Sequence, residues 1–443
     1  METKMKKAEK LSQSITLKAV IVAVLTLLLL IPGIMVQDII RERQYRSVET
    51  IEKINAKWSH SQTLCAPVLS VPFTTSNKMA DDKIKYEQHT LNITPETLNI
   101  ETELYPEERH YGIYKTILYK SDIDMSGTFE LKDIKIANSV IHWDQAYIRM
   151  GFSDLRGITS TVSFKLNNQP YEAETSGVYE GSLGKELLVA PGDSLFKTSN
   201  KKFSFNCKLN LRGSANINFI PLGKTTNVHV AGAWNAPGYV GNFSPETTLS
   251  SAGFDATWNI LHYNRSIPDI WEDNNMNSFH DSTFGVNLVN TVDHYQQNMR
   301  SAKYAFMFIA LTFVVFFFVE IRTKKKIHPI QYLLVGIALV LFYSLLLSIS
   351  EQLSFGLAYL IASVAIIGLI TAYTHSIFKN KPQTATLTLI LCLLYVFLYV
   401  VLQLEDIALL IGSIGLFIIL GIIMYFSRKI NWYKQEELPE AEE

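Results

Sequence analysis

The sequence predicts a membrane α-helical bundle combined with an all-β domain outside the membrane. The predicted order along the chain is one N-terminal anchor helix, an antiparallel β-sandwich-like domain and five C-terminal transmembrane helices. Two observations support this prediction. Apolar residues are concentrated at positions 19–36 and 304–426. Between these regions they recur at every second position over several runs, as in half-buried strands.

The overall charge balance gives no support for a nucleic-acid partner. The 443 residues include 40 Lys and Arg against 41 Asp and Glu, for a formal net charge of −1. A strongly basic balance would attract polyanions and a strongly acidic one would attract cations, and this chain has neither. The length predicts roughly two or three structural units.

Six segments are long and apolar enough to cross a bilayer, whose hydrocarbon core of about 30 Å needs about 20 helical residues. They are residues 19–36, 304–321, 330–349, 353–373, 384–402 and 407–426. Glu320 is the one carboxylate inside these limits, one residue from the end of its segment. The first segment could be a cleaved signal peptide. It is long, however, and no Ala-x-Ala site follows it, which favours an uncleaved anchor.

The basic residues predict the orientation of the chain, because cytoplasmic loops are enriched in Lys and Arg. The basic segments are the lysines at positions 4, 6, 7, 10 and 18, the loop 322–326, the loop with Lys379 and Lys381, and the tail from Arg428. With six spans, residues 1–18 and 427–443 are cytoplasmic and residues 37–303 lie outside. Three arginines just outside the first span, Arg41, Arg43 and Arg46, conflict with this orientation. The basic residues of the later loops outweigh them.

The outer domain, residues 37–303, is predicted to begin with a helix that continues the anchor. Its apolar residues recur at spacings of three to four: Val48, Ile51, Ile54 and Trp58. This spacing places them on one face of an amphipathic helix, which we expect to dock on the β domain.

The rest of the outer domain has the period of β-strands. Apolar and polar residues alternate over residues 98–104, 123–131, 162–166, 203–211 and 254–260. A short extended piece, residues 68–71, lies between Pro67 and Pro72, and turn-forming sequences such as 167–170 separate the runs. Half-buried strands separated by turns predict antiparallel sheets packed as a sandwich, in one lobe or in two.

The three cysteines are too few for a disulfide framework. Cys392 lies inside an apolar segment, where a thiol acts as a small hydrophobe. Cys65 and Cys207 fall in the outer domain. They could pair in an oxidising compartment or remain two buried thiols, and the sequence leaves both alternatives open.

Sequence motifs give no support for an enzyme. The Gly-x-Ser-x-Gly elbow, the His-Glu-x-x-His zinc motif and the phosphate-binding loop do not occur in the sequence. The histidines of the outer domain stand singly, without the short spacings typical of a metal site. We therefore predict no catalytic, cofactor-binding or metal-binding residues.

Polar residues in the membrane half mark the candidate functional positions, because such groups tend to face other helices or water. Tyr343 and Glu351 lie on the polar side of the third predicted helix, and Tyr359 lies on that of the fourth. The two polar sides could form a pathway or a small-ligand site. They could also simply pack the two helices together, which is the interpretation we favour.

The ends of the third predicted helix add two expectations about headgroups. His328, beside the basic residues 324–326, is expected to contact lipid headgroups. Glu351, at the outer end, is expected to reach headgroups or to hold the β domain to the bundle. The candidate functional residues are therefore His328, Gln331, Tyr343, Glu351 and Tyr359.

Several motifs resemble one family, the CreD family of inner-membrane proteins, also called the cell envelope integrity family. They are RSVE at 46–49, WSHSQ at 58–62, PVLSVP at 67–72, HYGIY at 110–114, GFDATW at 253–258, FGV at 284–286, VD at 292–293, YQ at 295–296, the stretch 303–318, HPIQYLLVG at 328–336, SE at 350–351 and FGLAY at 355–359. These motifs span almost the whole chain. One departure is Cys65-Ala66-Pro67, where a Gly-Pro pair is more usual, so Cys65 is not expected to be a functional group of the family.

The resemblance implies a bacterial inner-membrane protein linked to envelope stress, to altered tolerance of colicins and β-lactams, and to control by a two-component system. It implies no established reaction and no catalytic residue. The first hypothesis is a non-enzymatic protein that maintains envelope integrity and contacts membrane lipids and periplasmic or envelope proteins. The alternative is a transporter or lipid-handling protein that uses the polar faces of the third and fourth predicted helices. An enzyme acting on lipid or glycan is a third hypothesis, which no motif supports.

Overall fold

The computed structural model describes residues 15–78, 84–131, 134, 136–176, 185–192, 202–273, 279–288, 294–323, 327–404 and 407–428. The chain divides into two compact units: a β-rich unit, Ser47–Thr291, and a helical unit, Met1–Arg46 together with Val292–Glu443. Three groups of basic residues used to predict the orientation lie outside the described residues: the lysines before Lys18, residues 324–326 and the tail after Arg428.

The helices account for both apolar regions of the sequence. They are α1 Ile15–Leu28, α2 Leu30–Trp58, α3 His294–Lys303, α4 Ala305–Thr323, α5 Pro329–Ser350, α6 Phe355–Phe378, α7 Lys381–Gln403 and α8 Ala408–Ser427. This arrangement confirms the predicted N-terminal apolar helix and the several apolar C-terminal helices.

The number of helices that could cross a membrane depends on two of these elements. Within the described residues, four segments are long and apolar enough: Leu17–Trp58, Pro329–Ser350, Phe355–Phe378 and Lys381–Gln403. The pair α3 and α4 adds a fifth if it is counted as one span, bent by 44°. A shorter apolar helix covers Leu410–Tyr425.

The helical unit has a core of interlocked aromatic and small side chains. Phe313 and Phe342 are almost fully buried, and so is Ala358 of α6. Gly336 of α5 lies so close to Leu29 and Phe313 that a β-carbon there would overlap with their side chains. Small residues allow this close helix approach in a bundle where lipid provides no hydrophobic drive.

The β-rich unit contains two sheets. Its strands are β1 Gln62–Lys78, β2 Ile84–Ile93, β3 Thr97–Tyr111, β4 Tyr114–Glu130, β5 Ser139–Ile141, β6 Tyr147–Phe152, β7 Ser163–Leu166, β8 Gln169–Tyr171, β9 Glu174–Thr175, β10 Lys185–Val189, β11 Lys202–Ser214, β12 Asn216–Ile220, β13 Thr225–Gly232, β14 Gly238–Gly241, β15 Glu246–Ser250, β16 Gly253–Leu261, β17 Ile270–Glu272 and β18 Phe284–Asn287.

The first sheet has the order β14-β18-β12-β1-β6-β10-β9, with β2 and β5 also paired to β1 and with β17 paired to β2. The second sheet has the order β15-β16-β13-β3-β4-β11-β7-β8. Among the described strands, β1 pairs with β12 and β3 pairs with β13 in parallel, and the other pairings are antiparallel. The predicted antiparallel character therefore holds for most of the unit.

Alternation of apolar and polar residues decides which face of each strand is buried. Along β11, Phe203, Phe205 and Cys207 are buried, whereas Ser204 and Lys208 between and beyond them are exposed. The other predicted runs also lie on strands, namely β3, β4, β7 and β16. Period-two patterning alone therefore located these strands.

The extended piece at 68–71 is part of a much longer strand, so the two prolines do not bracket it as expected. β1 runs for 17 residues through both Pro67 and Pro72. The pairing of β1 with β6 shifts register between Cys65 and Val68, which places Pro67 in an irregularity of the ladder. A proline has no N–H to donate, and a bulge is one of the places where a strand tolerates it.

One hydrophobic core contains buried side chains from both sheets. Met150 of the first sheet and Cys207 of the second sheet meet in it, with their sulfur atoms 3.7 Å apart. Cys65 and Cys207 are both buried free thiols. Burial, reinforced by the charge of Asp124, raises the pKa of Cys207 to about 12, so this side chain stays protonated. It therefore acts as a small apolar group.

The helix that leads into the β-rich unit is amphipathic, but its buried face differs from the predicted one. Val48 is 62% exposed, whereas Ser47 and Asn55 are buried. Asn55 takes a buried position because its side-chain oxygen accepts a hydrogen bond of 2.7 Å from the hydroxyl of Thr116. Trp58 lies on the expected face, where the guanidinium of Arg212 stacks over its ring at 4.9 Å.

Asp154 joins three parts of the β-rich unit. Its carboxylate accepts hydrogen bonds from the Ser59 hydroxyl, at 3.3 Å, and from the Arg156 guanidinium, at 2.8 Å. The backbone N–H of His60 donates to it as well, at 3.4 Å. Burial alone would raise the pKa of Asp154, but the hydrogen bonds from Arg156 and His60 outweigh it and lower the pKa to about 2.

We expect Asp154→Asn to destabilise the protein at neutral pH. A pKa lowered from 3.8 to about 2 corresponds to roughly 2–3 kcal/mol of stability. That stability is fully present above pH 3.8 and is lost as the pH falls through about 2. Unfolding of the full chain, followed by pulse proteolysis between about pH 2 and 7, measures the effect. Asp144→Asn, at an exposed position, is the control. An Asp154→Asn chain as stable as the parent at neutral pH would contradict the assignment.

Candidate functional site

His328 and Gln331 form the start of α5. The Nδ1 atom of His328 accepts a hydrogen bond from the N–H of Ile330 at 3.3 Å. The side-chain oxygen of Gln331 accepts one from the N–H of His328 at 3.0 Å. Together with Pro329 in the first turn, this reciprocal arrangement is a capping box, which satisfies N–H groups that have no partner inside the helix. These contacts give both residues a structural role at the start of α5.

Tyr343 and Tyr359 lie in an aromatic cluster between α5, α6 and α7. Phe342 packs edge-on against Tyr359 at 5.4 Å and against Tyr395 at 4.9 Å between ring centroids. The hydroxyl of Tyr359 donates a hydrogen bond of 2.7 Å to the backbone carbonyl of Tyr395. Tyr343 and Tyr359 are 3% and 5% exposed, so these polar side chains contribute to helix packing.

Glu351 follows α5 directly and contacts α3. Its Oε1 atom accepts a hydrogen bond of 3.3 Å from the hydroxyl of Tyr295. The neighbouring Ser350 accepts one of 2.7 Å from the side-chain amide of Asn298. The structure therefore joins this predicted residue to a helix that the sequence analysis did not connect with it. Its expected role in holding the β domain stays a prediction.

A polar cluster around Glu320 lies at the other end of α5. Glu320 is 5% exposed and forms an ion pair with Lys18 of α1. The hydroxyl of Tyr332 donates to it at 2.9 Å, and the N–H of Ile327 donates at 3.1 Å. Sequence reasoning noticed this carboxylate but not its partners. The available signal was a charged residue inside an apolar span, which needs a partner.

The second sheet carries an open polar groove on its exposed face, with a volume of about 630 Å³. Its lining comes from β3, β4, β11 and β13 and from the start of β7 with the segment before it: Glu101, Thr102, Glu103, Asp122, Ile123, Asp124, Ser160, Thr161, Ser163, Lys208, Leu209, Asn210 and His229. Cross-strand pairing brings the acidic residues together, because Glu101 is opposite Asp124 and Glu103 is opposite Asp122. We refer to this feature as the sheet groove.

The protonation of His229 in the sheet groove is directed by its neighbours. Its Nδ1 atom is 2.7 Å from Glu101 and its Nε2 atom is 2.9 Å from Asp255. Burial lowers the pKa of His229, but the hydrogen bonds to the two carboxylates outweigh it and raise the pKa. The imidazolium can donate to both carboxylates at once. Within the described residues, no group of three or more His, Cys, Asp and Glu side chains could hold a metal ion.

Comparison with known proteins identifies the family. Residues 14–433 match the family model described as inner membrane protein CreD. The chain is also 31% identical, over 417 residues, to the inner membrane protein CreD of Escherichia coli (strain K12), covering 92% of this chain and 91% of the relative. The chain belongs to the CreD family. It is therefore an inner membrane protein, as the resemblance and the apolar helices predicted.

Solved structures add no information about CreD function. An M1 zinc metallopeptidase from Deinococcus radiodurans aligns with a TM-score of 0.21 and 9% identity, over 44% of this chain and 42% of the peptidase chain. A two-domain M1 zinc metallopeptidase aligns with a TM-score of 0.20 and 8% identity, over 44% of each chain. This likeness is too weak to support any assignment.

We expect the ion pair between the partly exposed Lys18 and the buried Glu320 to contribute to the stability of this CreD family member. Lys18→Met leaves Glu320 buried without its cation, which destabilises a protein by about 3–5 kcal/mol in comparable cases. The double variant Lys18→Met/Glu320→Leu should recover much of this loss, because both charges are removed together. Thermal unfolding in detergent, read by loss of monodisperse protein, measures the difference.

The exposed pair of Lys53 and Glu49 on α2 supplies the matched control, because its side chains are 70% and 65% exposed. Lys53→Met should change stability by less than about 0.5 kcal/mol. If Lys18→Met is as mild as Lys53→Met, the pair of Lys18 and Glu320 has no structural importance.

Proposed function

We propose that this protein maintains the cell envelope without catalysing a reaction, and that its β-rich unit contacts other envelope components outside the membrane. The sheet groove is the observation that carries this proposal. It is broad, open and lined by hydrogen-bonding side chains on an exposed sheet face. Such a surface suits a macromolecular partner better than a small ligand, because small-ligand sites are enclosed clefts that bury most of the ligand.

The charges of the sheet groove define the chemistry of that partner. Four carboxylates line it, against Lys208 and His229. Lys208 is 2.8 Å from Asp124 and Asn206 donates to the same carboxylate at 2.7 Å. Glu101 is also paired, with His229 at 2.7 Å, and Asp122 accepts a hydrogen bond of 3.3 Å from the Tyr105 hydroxyl. A carboxylate has room for more than one donor, so the groove can still accept hydrogen bonds from basic or donating groups of a partner. Charge complementarity of this kind directs partner choice and orientation more than it sets affinity.

The geometry of His229 supports the non-catalytic part of the proposal. A general base needs an imidazole nitrogen that can reach a substrate proton. Both ring nitrogens of His229 are engaged with carboxylates, at 2.7 Å to Glu101 and 2.9 Å to Asp255. The raised pKa of His229 also favours the protonated ring, which cannot accept a proton. The family name specifies a membrane protein and no reaction.

The alternative function is transport or lipid handling along the polar faces of α5 and α6. A continuous hydrated passage between these helices would favour it. Tyr343, Tyr359 and Phe342 instead fill this region with buried, mutually packed rings. This packing supports the envelope-maintenance proposal over the transport alternative.

We further propose that the two sheets form a β-sandwich and that the chain crosses the membrane six times. Five of these spans are C-terminal, with α3 and α4 counted together and α8 as the last. The basic residues Lys18, Lys379, Lys381 and Arg428 then share the cytoplasmic side, and the β-rich unit lies outside.

Cysteine labelling from outside the cell should distinguish the two sides of the membrane. We expect a membrane-impermeant maleimide, applied to spheroplasts, to modify Glu172→Cys in the β-rich unit and to spare Lys381→Cys at the start of α7. Both positions are exposed, so burial does not confound the comparison. Labelling after membrane disruption shows that each cysteine is reactive. The reverse pattern would overturn the topology.

Photo-crosslinking in intact cells should test the sheet groove as a contact surface. A photo-crosslinking amino acid at Thr161, which is exposed in the groove lining, should capture a discrete set of envelope proteins. Charge reversal by Glu103→Lys/Asp122→Lys should reduce this capture at least tenfold, because it replaces attraction with repulsion. Asp144→Lys, an exposed change outside the groove, is the matched control. Capture that is unchanged by the groove variant would contradict the proposal.

A further inference from the structure

One face of α3 carries polar side chains that are buried without complete hydrogen bonding. Ser301 lies four residues after Gln297 and three after Asn298, and both spacings make side chains neighbours on the helix surface. Asn298 is 1% exposed and Ser301 is 0% exposed. Within the part of the chain that the structure describes, Gln297 Oε1, Asn298 Oδ1 and Ser301 Oγ have no hydrogen-bond partner.

The orientation of the Asn298 amide is determined by its neighbours. The hydroxyl of Ser350 donates to the carbonyl of Leu347 at 2.9 Å, so its proton is committed. Ser350 must therefore accept the hydrogen bond of 2.7 Å from Asn298, which requires the NH₂ group on that side. The same NH₂ group donates to the carbonyl of His294 at 2.8 Å. Both donors are used, and the Oδ1 atom is the group left without a partner.

A carboxylate lies beside this face. Glu351 follows Ser350 in the chain and accepts a hydrogen bond from Tyr295, which is one turn before Asn298 on α3. The end of α5 therefore brings a carboxylate, through Tyr295, onto the helix that carries the amide oxygen and the hydroxyl. Arg300 and Lys303 lie in the last turn of α3, on the C-terminal side of this group.

The chemistry of the unpartnered atoms indicates what would bind there. Buried polar groups are nearly always hydrogen-bonded, and burying an acceptor without a donor is unfavourable. The amide oxygens accept but cannot donate, and an ionised carboxylate only accepts. A primary ammonium has three N–H donors, a positive charge and no acceptor, so it matches this set. A quaternary ammonium has the charge but no N–H.

We propose that Asn298, Ser301 and Glu351 form a binding site for the primary ammonium of an ethanolamine lipid headgroup. The headgroup phosphate is then positioned toward the basic last turn of α3. The α3–α4 segment bends by 44° between Lys303 and Ala305, at the end of this basic turn. The proposal concerns the helical unit alone and does not depend on a partner of the sheet groove.

The test compares the full chain in nanodiscs of phosphatidylcholine with discs in which part of this lipid is replaced by phosphatidylethanolamine. The two lipids share the phosphate and differ in the N–H donors. We expect phosphatidylethanolamine to raise the thermal unfolding midpoint by about 2–4 °C, since a bound ligand stabilises the folded state. Native mass spectrometry should retain the same lipid on the protein.

Two variants separate binding from folding. Ser301→Ala removes an unpartnered hydroxyl, so we expect it to leave the midpoint in phosphatidylcholine unchanged or higher while it halves the increment from phosphatidylethanolamine. Glu351→Gln removes the charge and should abolish the increment. Gln296→Ala on α3 and Gln352→Ala next to Glu351 are changes at exposed positions and should keep the increment. A role in packing alone would lower the midpoint equally in both lipids.

Two results would overturn the proposal. One is an equal midpoint in the two lipids for the parent chain, which would mean that the site recognises no N–H donor. The other is full stabilisation by millimolar free ethanolamine in phosphatidylcholine discs, which would assign the site to a soluble amine in place of a lipid. Loss of groove crosslinks has no bearing on either result, so failure of the proposed function and failure of this site can be distinguished.

Discussion

Pairing of buried charge is the constraint on which both units depend. Within the described residues three carboxylates are buried, and each has a cation beside it: Asp154 with Arg156, Glu186 with Arg149, and Glu320 with Lys18. Removing an ion from water costs several kcal/mol, so a buried carboxylate is tolerated only where a partner meets it. The two pairs whose partners lie on different elements also specify which elements are neighbours. Glu186 and Arg149 match β10 to β6, and Glu320 brings α1 to α4.

Apart from these ion pairs, different forces stabilise the interior of each unit. In the β-rich unit, alternation separates apolar from polar side chains, and removal of the apolar set from water stabilises the core. In the helical unit, large apolar side chains face outward, such as Val364 at 63% and Leu389 at 61% exposure. In lipid these positions gain nothing from burial, so close packing and hydrogen bonds specify the helix contacts. The bond from Tyr359 to the Tyr395 carbonyl is one of them.

This difference explains how much could be predicted from the sequence. Period-two alternation is a local property, so β11 and β16 could be located directly, and apolar length located the helices. Pro67 and Pro72 led to a wrong prediction of the strand boundaries. The irregularity of the ladder that accommodates Pro67 depends on β6, more than 80 residues away. Glu320 was visible as a charge in a span, but its partner Lys18 is 302 residues distant. His328 and Gln331 are residue types that often occur in functional sites, and only their contacts show that they form a capping box.

The buried polar atoms of α3 differ from several hydroxyls of the helical unit that have partners, although Ser363 of α6 and Gln383 of α7 also bury an oxygen without one in the described part of the chain. Tyr332 and Tyr359 each use their hydroxyl, and Thr374 returns its hydroxyl to the backbone of its own helix. Asn298 and Ser301 lie one turn apart with oxygens that have no partner among the described residues. An alanine or leucine would fill the same space without an unpaired acceptor, and in a low-dielectric region that exchange favours the apolar residue. Packing alone therefore gives no reason for polar groups on this face. The proposed ethanolamine headgroup supplies donors that complete their hydrogen bonds, and Glu351 supplies the negative charge.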